Sequence, residues 1–131
     1  MESTSLTIGW IGTGVMGKSM AKHLINKGYT LQVYNRTASK ADELVSLGAT
    51  FKTPVEIAKE ADVLFMMLGF PQDVEAMALG ENGVINHMKE GSYLIDCTTS
   101  SPGLAIKVDE AAKKRNIHSI DAPVSGGDVG A

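Results

Sequence analysis

The sequence carries one cysteine, Cys97, in 131 residues, so an internal disulfide is excluded. A lone thiol is compatible with a reducing cytosolic or organellar compartment, so the cytoplasm is the expected location and an organelle the alternative. There is no basic excess: the net charge is −3, and Lys and Arg are scattered rather than clustered. Such a surface has no positive field for nucleic acid, and no nucleic-acid partner is expected. No apolar run approaches the roughly 20 residues that cross a bilayer, and Met1–Ser5 with its acidic Glu2 is unlike a signal peptide. His23, His87 and His118 lack metal-ligand spacing and have no triad partner, so no metal site is expected. Repeats, linkers and low-complexity tracts are also missing. What remains is the composition of one globular domain, 44% hydrophobic and 21% charged. A chain of this size buries roughly two thirds of its unfolded surface and can fold without a covalent staple.

Apolar runs alternate with helical patterns along the whole chain. Leu6–Ile11 is a strand stopped by glycines, and Val15–Lys27 is a helix with Met20, Ala21, Leu24 and Ile25 on one face. Gly28 is its expected left-handed cap, and Leu31–Tyr34 is a second strand. Ser39–Leu47 reads as a helix burying Ala41, Leu44 and Leu47, with Gly48 as cap and a short strand at Ala49–Phe51. Thr53, Pro54 and Glu56 together spell a capping box for a brief helix ending near Glu60. Val63–Leu68 is apolar without alternation, which suits a central parallel strand covered on both faces. Helix at Pro71–Leu79, strand at Tyr93–Ile95, helix from Ser101-Pro102 to Arg115 and strand at Ile117–Ile120 complete the series. Repeated βα units with right-handed crossovers imply an α/β, Rossmann-type doubly wound, mainly parallel sheet.

Between the first strand and first helix stands Gly12-Thr13-Gly14-Val15-Met16-Gly17, a G-x-G-x-x-G. The first glycine turns the chain, the second lets backbone approach a pyrophosphate, and the third permits close helix–strand packing. Amides at the helix start and the helix dipole then favour phosphate charge. The end of the second strand selects the dinucleotide, because an acidic residue there accepts hydrogen bonds from the adenosine 2′-OH of NAD. This chain has Asn35-Arg36-Thr37 instead. Arg36 can pair with a 2′-phosphate through its planar fork, Asn35 and Thr37 can add hydrogen bonds, and no neighbouring carboxylate in the sequence repels the dianion. NADP(H) is therefore the expected cofactor. A plain solvated Arg36 would instead leave NAD and NADP nearly equivalent.

The stretch Ile8–Gly17 with Met20-Ala21 and Leu24, then Tyr34–Thr37 with Lys40, and finally Asp121-Ala122-Pro123-Val124-Ser125-Gly126-Gly127 resembles the β-hydroxyacid dehydrogenase family. That family includes 3-hydroxyisobutyrate dehydrogenase and glyoxylate/succinic semialdehyde reductases, and the resemblance spans essentially the whole chain. It implies that Leu68 lines the cofactor through its backbone, that Thr99 lies near the nicotinamide side, and that Ser125, Gly126 and Gly127 hold a substrate carboxylate. It further implies that residues 1–131 are the N-terminal dinucleotide-binding domain, with the catalytic Lys and a nearby Asn on an interdomain helix beyond residue 131 and with a C-terminal helical domain that commonly mediates homo-oligomerisation. No residue present is expected to be the catalyst; Lys18, Lys22 and Lys107 read as solvated charges and Cys97 as a small buried thiol. The expected reaction of the intact protein is reversible hydride transfer between NADP(H) and a small β-hydroxyacid or its semialdehyde. One departure and two rivals stay open. Gly69-Phe70-Pro71 replaces the proline that many relatives place directly after the equivalent of Leu68. 6-phosphogluconate dehydrogenase shares the Asn-Arg-Thr and Val-Ser-Gly-Gly themes, and a noncatalytic NADP(H)-sensing or scaffold module would need the same domain.

Overall fold

A computed structural model of the chain describes residues 6–12, 15–68, 71–98 and 102–122. Six strands, β1 (Thr7–Ile11), β2 (Thr30–Tyr34), β3 (Thr50–Phe51), β4 (Val63–Met66), β5 (Tyr93–Asp96) and β6 (His118–Asp121), form one sheet in the order β3-β2-β1-β4-β5-β6. Every pairing is parallel. Five helices connect them: α1 (Val15–Asn26), α2 (Asp42–Ser46), α3 (Pro54–Glu60), α4 (Pro71–Leu79) and α5 (Pro102–Lys113). The chain leaves β1 toward one edge and returns to β4 on its other side, which is the switch point where open α/β sheets hold ligands. Each half turns back on itself because parallel neighbours need a helical crossover.

Alternation along β1 sends neighbours to different cores. Trp10 joins Ile8, Ala21, Leu31, Val33, Ala41 and Leu44 on the face covered by α1 and α2. Ile11 joins Ile57, Leu64, Met66, Val74, Leu94, Leu104 and Val108 on the face covered by α3, α4 and α5. Across the sheet, Val33, Trp10, Phe65, Ile95 and Ile120 are in register. This row grades from fully buried Val33 and Trp10 to Ile120 at 44% exposure, because α1 and α2 reach only the β1–β2 half. Trp10 and Phe65 stack within it, centroids 4.8 Å apart.

The helix ends follow the sequence signals where these are local. Thr53 and Glu56 form the reciprocal capping box, with the Thr53 hydroxyl accepting from the Glu56 amide at 3.2 Å and the Glu56 carboxylate accepting from the Thr53 amide at 3.0 Å. Gly28 takes φ +91° after α1, a conformation open to it without steric cost.

Two expectations need correction, and one element had no counterpart in the sequence reading. Ser39–Leu47 is not one helix: Ala38–Ala41 is a 3₁₀ turn and only Asp42–Ser46 is α-helical. Ala41 and Leu44 face inward, while Leu47, left as the C-cap of the shortened helix, is 46% exposed. The strand expected through Leu68 stops at Met66, because the Met67 amide takes the final rung, on the Ile11 carbonyl, and the Leu68 amide turns to a side chain. A second 3₁₀ turn, Val84–Asn86, has no periodic signature of its own yet buries Val84 and Ile85 in the α3–α5 core.

Candidate dinucleotide site

Sheet bonding continues one residue past the strands and so fixes where the loops begin. The Gly12 amide donates to the Tyr34 carbonyl at 2.9 Å, Met67 to Ile11 at 2.9 Å, and Cys97 to Met66 at 2.8 Å. Three loops thus start side by side at the carboxyl ends of β1, β4 and β5. Gly12 is buried with φ +95°, and a Cβ placed there would stand 2.1 Å from the Met67 carbonyl oxygen. Only glycine fits, because both the backbone conformation and the packing exclude a side chain. Trp10 pins the same turn from below: its indole Nε1 donates to the Gly12 carbonyl oxygen at 2.8 Å. A buried indole N–H must find an acceptor, and this one holds the peptide at which the glycine-rich turn starts.

A second polar cluster ties the β4 loop to the β5 loop. The Thr98 hydroxyl accepts the Leu68 amide at 2.7 Å, and the Thr98 amide donates to Asp96 Oδ1 at 2.9 Å. Thr98 is 4% and Asp96 7% exposed, so these two bonds are made away from water. Thr98→Val keeps the shape but leaves the Leu68 amide without its acceptor, and should cost about 1–3 kcal/mol in urea unfolding.

Burial pushes the Asp96 carboxyl above the usual carboxylate range and the Asp121 carboxylate adds to that, while the Thr98 bonds pull it down. A raised folded-state pKa means that the folded protein holds this proton more tightly than the unfolded chain, so stability falls as pH rises through the folded value. Asp96→Asn removes that titration. The variant should therefore gain on the wild type as pH rises above about 4 in a urea series, and a pH-independent difference would refute the assignment. Cys97, the next residue, is buried, and desolvation followed by the Asp96 charge lifts its thiol to about 11, which makes it an inert packing group.

At the end of β2, Asn35 Nδ2 donates to the Thr37 carbonyl at 2.9 Å, closing the turn that presents Arg36. The Arg36 side chain is 84% exposed and its Nη2 lies 3.3 Å from Asp73 Oδ1 in the first turn of α4. This corrects the expectation that no carboxylate neighbours the arginine: Asp73 is 37 residues away in sequence and is brought in by the switch-point topology. Val15, Met16 and Gly17 form the first turn of α1. Leu68 is half-buried beside the Gly12 turn. Thr13, Gly14, Thr99, Ser125, Gly126 and Gly127 lie outside the described residues. Trp10, Asp73, Asp96 and Thr98 were not among the sequence-based candidates. The lone tryptophan on a strand leading into a glycine turn was the one available signal, since the others depend on pairing across the sheet.

Lys18 and Lys22 both bond Glu43, and hydrogen bonds from Lys22 and then Lys18 hold the Glu43 carboxyl below its usual range. Lys107 sits 4.0 Å from Glu75. Among the described residues no group of three or more His, Cys, Asp or Glu side chains could hold a metal ion, and no helix is long and apolar enough to cross a membrane.

Residues 7–131 match the profile of a family described as the NAD binding domain of 6-phosphogluconate dehydrogenase. An uncharacterized oxidoreductase of Bacillus subtilis is 55% identical over 95% of this chain and 44% of its own length. A probable mitochondrial 3-hydroxyisobutyrate dehydrogenase-like protein of Arabidopsis thaliana is 50% identical over 95% of this chain and 38% of its own. An NAD-dependent L-serine dehydrogenase of Pseudomonas aeruginosa is 38% identical over 95% of this chain and 42% of its own. Among solved structures, Mycobacterium tuberculosis 3-hydroxyisobutyrate dehydrogenase with L-serine superposes with a TM-score of 0.87 at 28% identity, covering 96% of this chain and 43% of that one. Psf3 in complex with NADP+ and 2-OPP gives 0.88 at 29% identity, covering 95% of this chain and 44% of that one. The chain therefore spans less than half the length of these relatives. With its glycine turn at the switch point of a six-stranded parallel sheet and a profile match over nearly its whole length, the chain belongs to the family of NAD(P)-binding domains typified by that of 6-phosphogluconate dehydrogenase, in the form carried by 3-hydroxyisobutyrate dehydrogenase-like oxidoreductases.

Proposed function

We propose that the chain is the NADP(H)-binding domain of an oxidoreductase that moves a hydride between NADP(H) and a small β-hydroxyacid or its semialdehyde. The observation that carries the cofactor preference is Arg36, an 84% exposed guanidinium at the end of β2, where an NAD-selective domain would place a carboxylate. The residues fit the group. The turn at Gly12 has no room for a Cβ and α1 begins at Val15, so the positive end of that helix's dipole suits a pyrophosphate there. The cofactor itself supplies the hydride.

The chain's own residues bind and orient. Gly12 with Thr13, Gly14, Val15, Met16 and Gly17 would cradle the pyrophosphate; Asn35, Arg36 and Thr37 would hold the 2′-phosphate. Leu68 and Thr99 would line the nicotinamide side, with Thr98 and Asp96 fixing the Leu68 backbone from behind. Ser125, Gly126 and Gly127 would supply donors to a substrate carboxylate. The general acid or base is assigned to a lysine outside residues 1–131, so the chain alone should bind cofactor without turnover. Psf3 in its NADP+ complex supports the NADP reading, while the NAD-dependent L-serine dehydrogenase keeps NADH in the comparison. Parallel calorimetric titrations with NADPH and NADH at fixed salt test it. NADPH binding at least about tenfold tighter, roughly 1.4 kcal/mol, is the expected result, and equal affinities would overturn the preference.

A further inference from the structure

We propose that Asp73 sets how strongly this site prefers NADPH, by competing with the 2′-phosphate for the Arg36 guanidinium. The inference rests on the reading of Arg36 given above. Arg36 and Asp73 come from different halves of the fold, the β2 loop and the first turn of α4, and meet only across the switch point. The contact is a single Nη2–Oδ1 approach of 3.3 Å. It involves one guanidinium nitrogen, whereas a phosphate can take the fork through two parallel bonds. Exposure is uneven, 84% for the Arg36 side chain and 25% for that of Asp73. The carboxylate is the anchored partner and the guanidinium the movable one.

A 2′-phosphate reaching Arg36 must either draw the guanidinium off Asp73 or share it with a carboxylate held close by. In both cases the dianion meets an anion that NADH, with a neutral 2′-OH, does not. Asp73 therefore acts against NADPH and leaves NADH untouched, lowering discrimination without removing it. An exposed pair is weak, so the phosphate wins the competition, but at a cost that is measurable as a ratio of affinities. Asp73 acts through Arg36 and is a specificity-setting residue, not a catalytic one.

The test is calorimetric titration of the chain with NADPH and NADH, for wild type, Asp73→Asn, Asp73→Ser, Arg36→Ala and the Asp73→Asn/Arg36→Ala double variant. NADPH should bind Asp73→Asn about three- to tenfold tighter than wild type, with NADH within about twofold, and Asp73→Ser should follow if the asparagine variant folds poorly. The gain should vanish in the double variant, where there is no guanidinium to compete for. Unchanged or weakened NADPH binding in both Asp73 variants, while Arg36→Ala still erases the preference, would overturn the role of Asp73 and leave the Arg36 reading standing. A gain that persists undiminished without Arg36 would also overturn it, since that would be direct repulsion and not competition. Loss of NADH affinity in the Asp73 variants would overturn it as well, assigning the carboxylate to the 2′-OH. If Arg36→Ala leaves the NADPH:NADH ratio unchanged, the reading of Arg36 and this proposal fall together.

Discussion

Arg36→Ala should weaken NADPH binding by about 10- to 100-fold while moving NADH by no more than about twofold. A charge-assisted, bidentate bond to phosphate contributes about 1.5–3 kcal/mol. Most of that amount is at stake, because the guanidinium is at the surface and is held only by one exposed contact with Asp73. For the same reason the substitution should leave stability within about 0.5 kcal/mol of wild type. Its 84% exposure and monodentate contact with Asp73 leave little native-state energy to lose. Calorimetry with both cofactors, alongside urea unfolding, separates the outcomes. Parallel losses of NADPH and NADH affinity would mean that Arg36 shapes the loop instead of reading the phosphate. The NADPH loss should shrink as salt is raised, since the contact is a charge pair near solvent.

Gly12→Ala should have the opposite profile, removing both cofactors together and taking much of the stability as well. At φ +95° an L-residue is strained, and the added methyl would overlap the Met67 carbonyl, 2.1 Å from its position. Backbone strain of about 1–2 kcal/mol and forced repacking of about 1–3 kcal/mol together make a sizeable share of a domain's 5–15 kcal/mol. Relief requires the β4 loop to move away from β1, which widens the crevice and displaces the amides meant for the pyrophosphate. The expected result is a melting temperature lower by about 10 °C or more, with no measurable binding of NADPH or NADH. A variant with wild-type melting and undiminished binding of either cofactor would refute the close packing of the two loops.

What the sequence makes legible is local. The capping box at Thr53–Glu56, the cap at Gly28 and the turn at Gly12 each draw on residues within a few positions, and each appears where its chemistry places it. The doubly wound, mainly parallel sheet follows from the βα alternation, whereas the order β3-β2-β1-β4-β5-β6 is seen only in the structure. The misreadings have the opposite character. Nothing in Ala38–Ala41 announces its 3₁₀ turn, and Leu47 faces solvent as the C-cap of an α2 that ends at Ser46. Leu68 leaves the ladder because Thr98 offers a hydroxyl from the next strand's end. Asp73 stands beside Arg36 because two loops meet at the switch point, so an anion absent from the local sequence is present in space. The glycine turn and its arginine could be read from the sequence; the groups that hold and temper them could not.

The β1–β4 junction has a kinetic meaning too. Thr7, whose amide bonds Asp62 Oδ2 at 2.9 Å, closes a separation of 55 residues, whereas β1–β2 and β4–β5 pairings join strands linked by a single crossover. Closing the longer loop carries the larger entropic cost, so the β1–β2 and β4–β5 units can order before the seam between them is sealed. The crevice is that seam. Late sealing of this seam is therefore the expected folding order, and a nucleotide that binds only the joined state would stabilise that state by mass action.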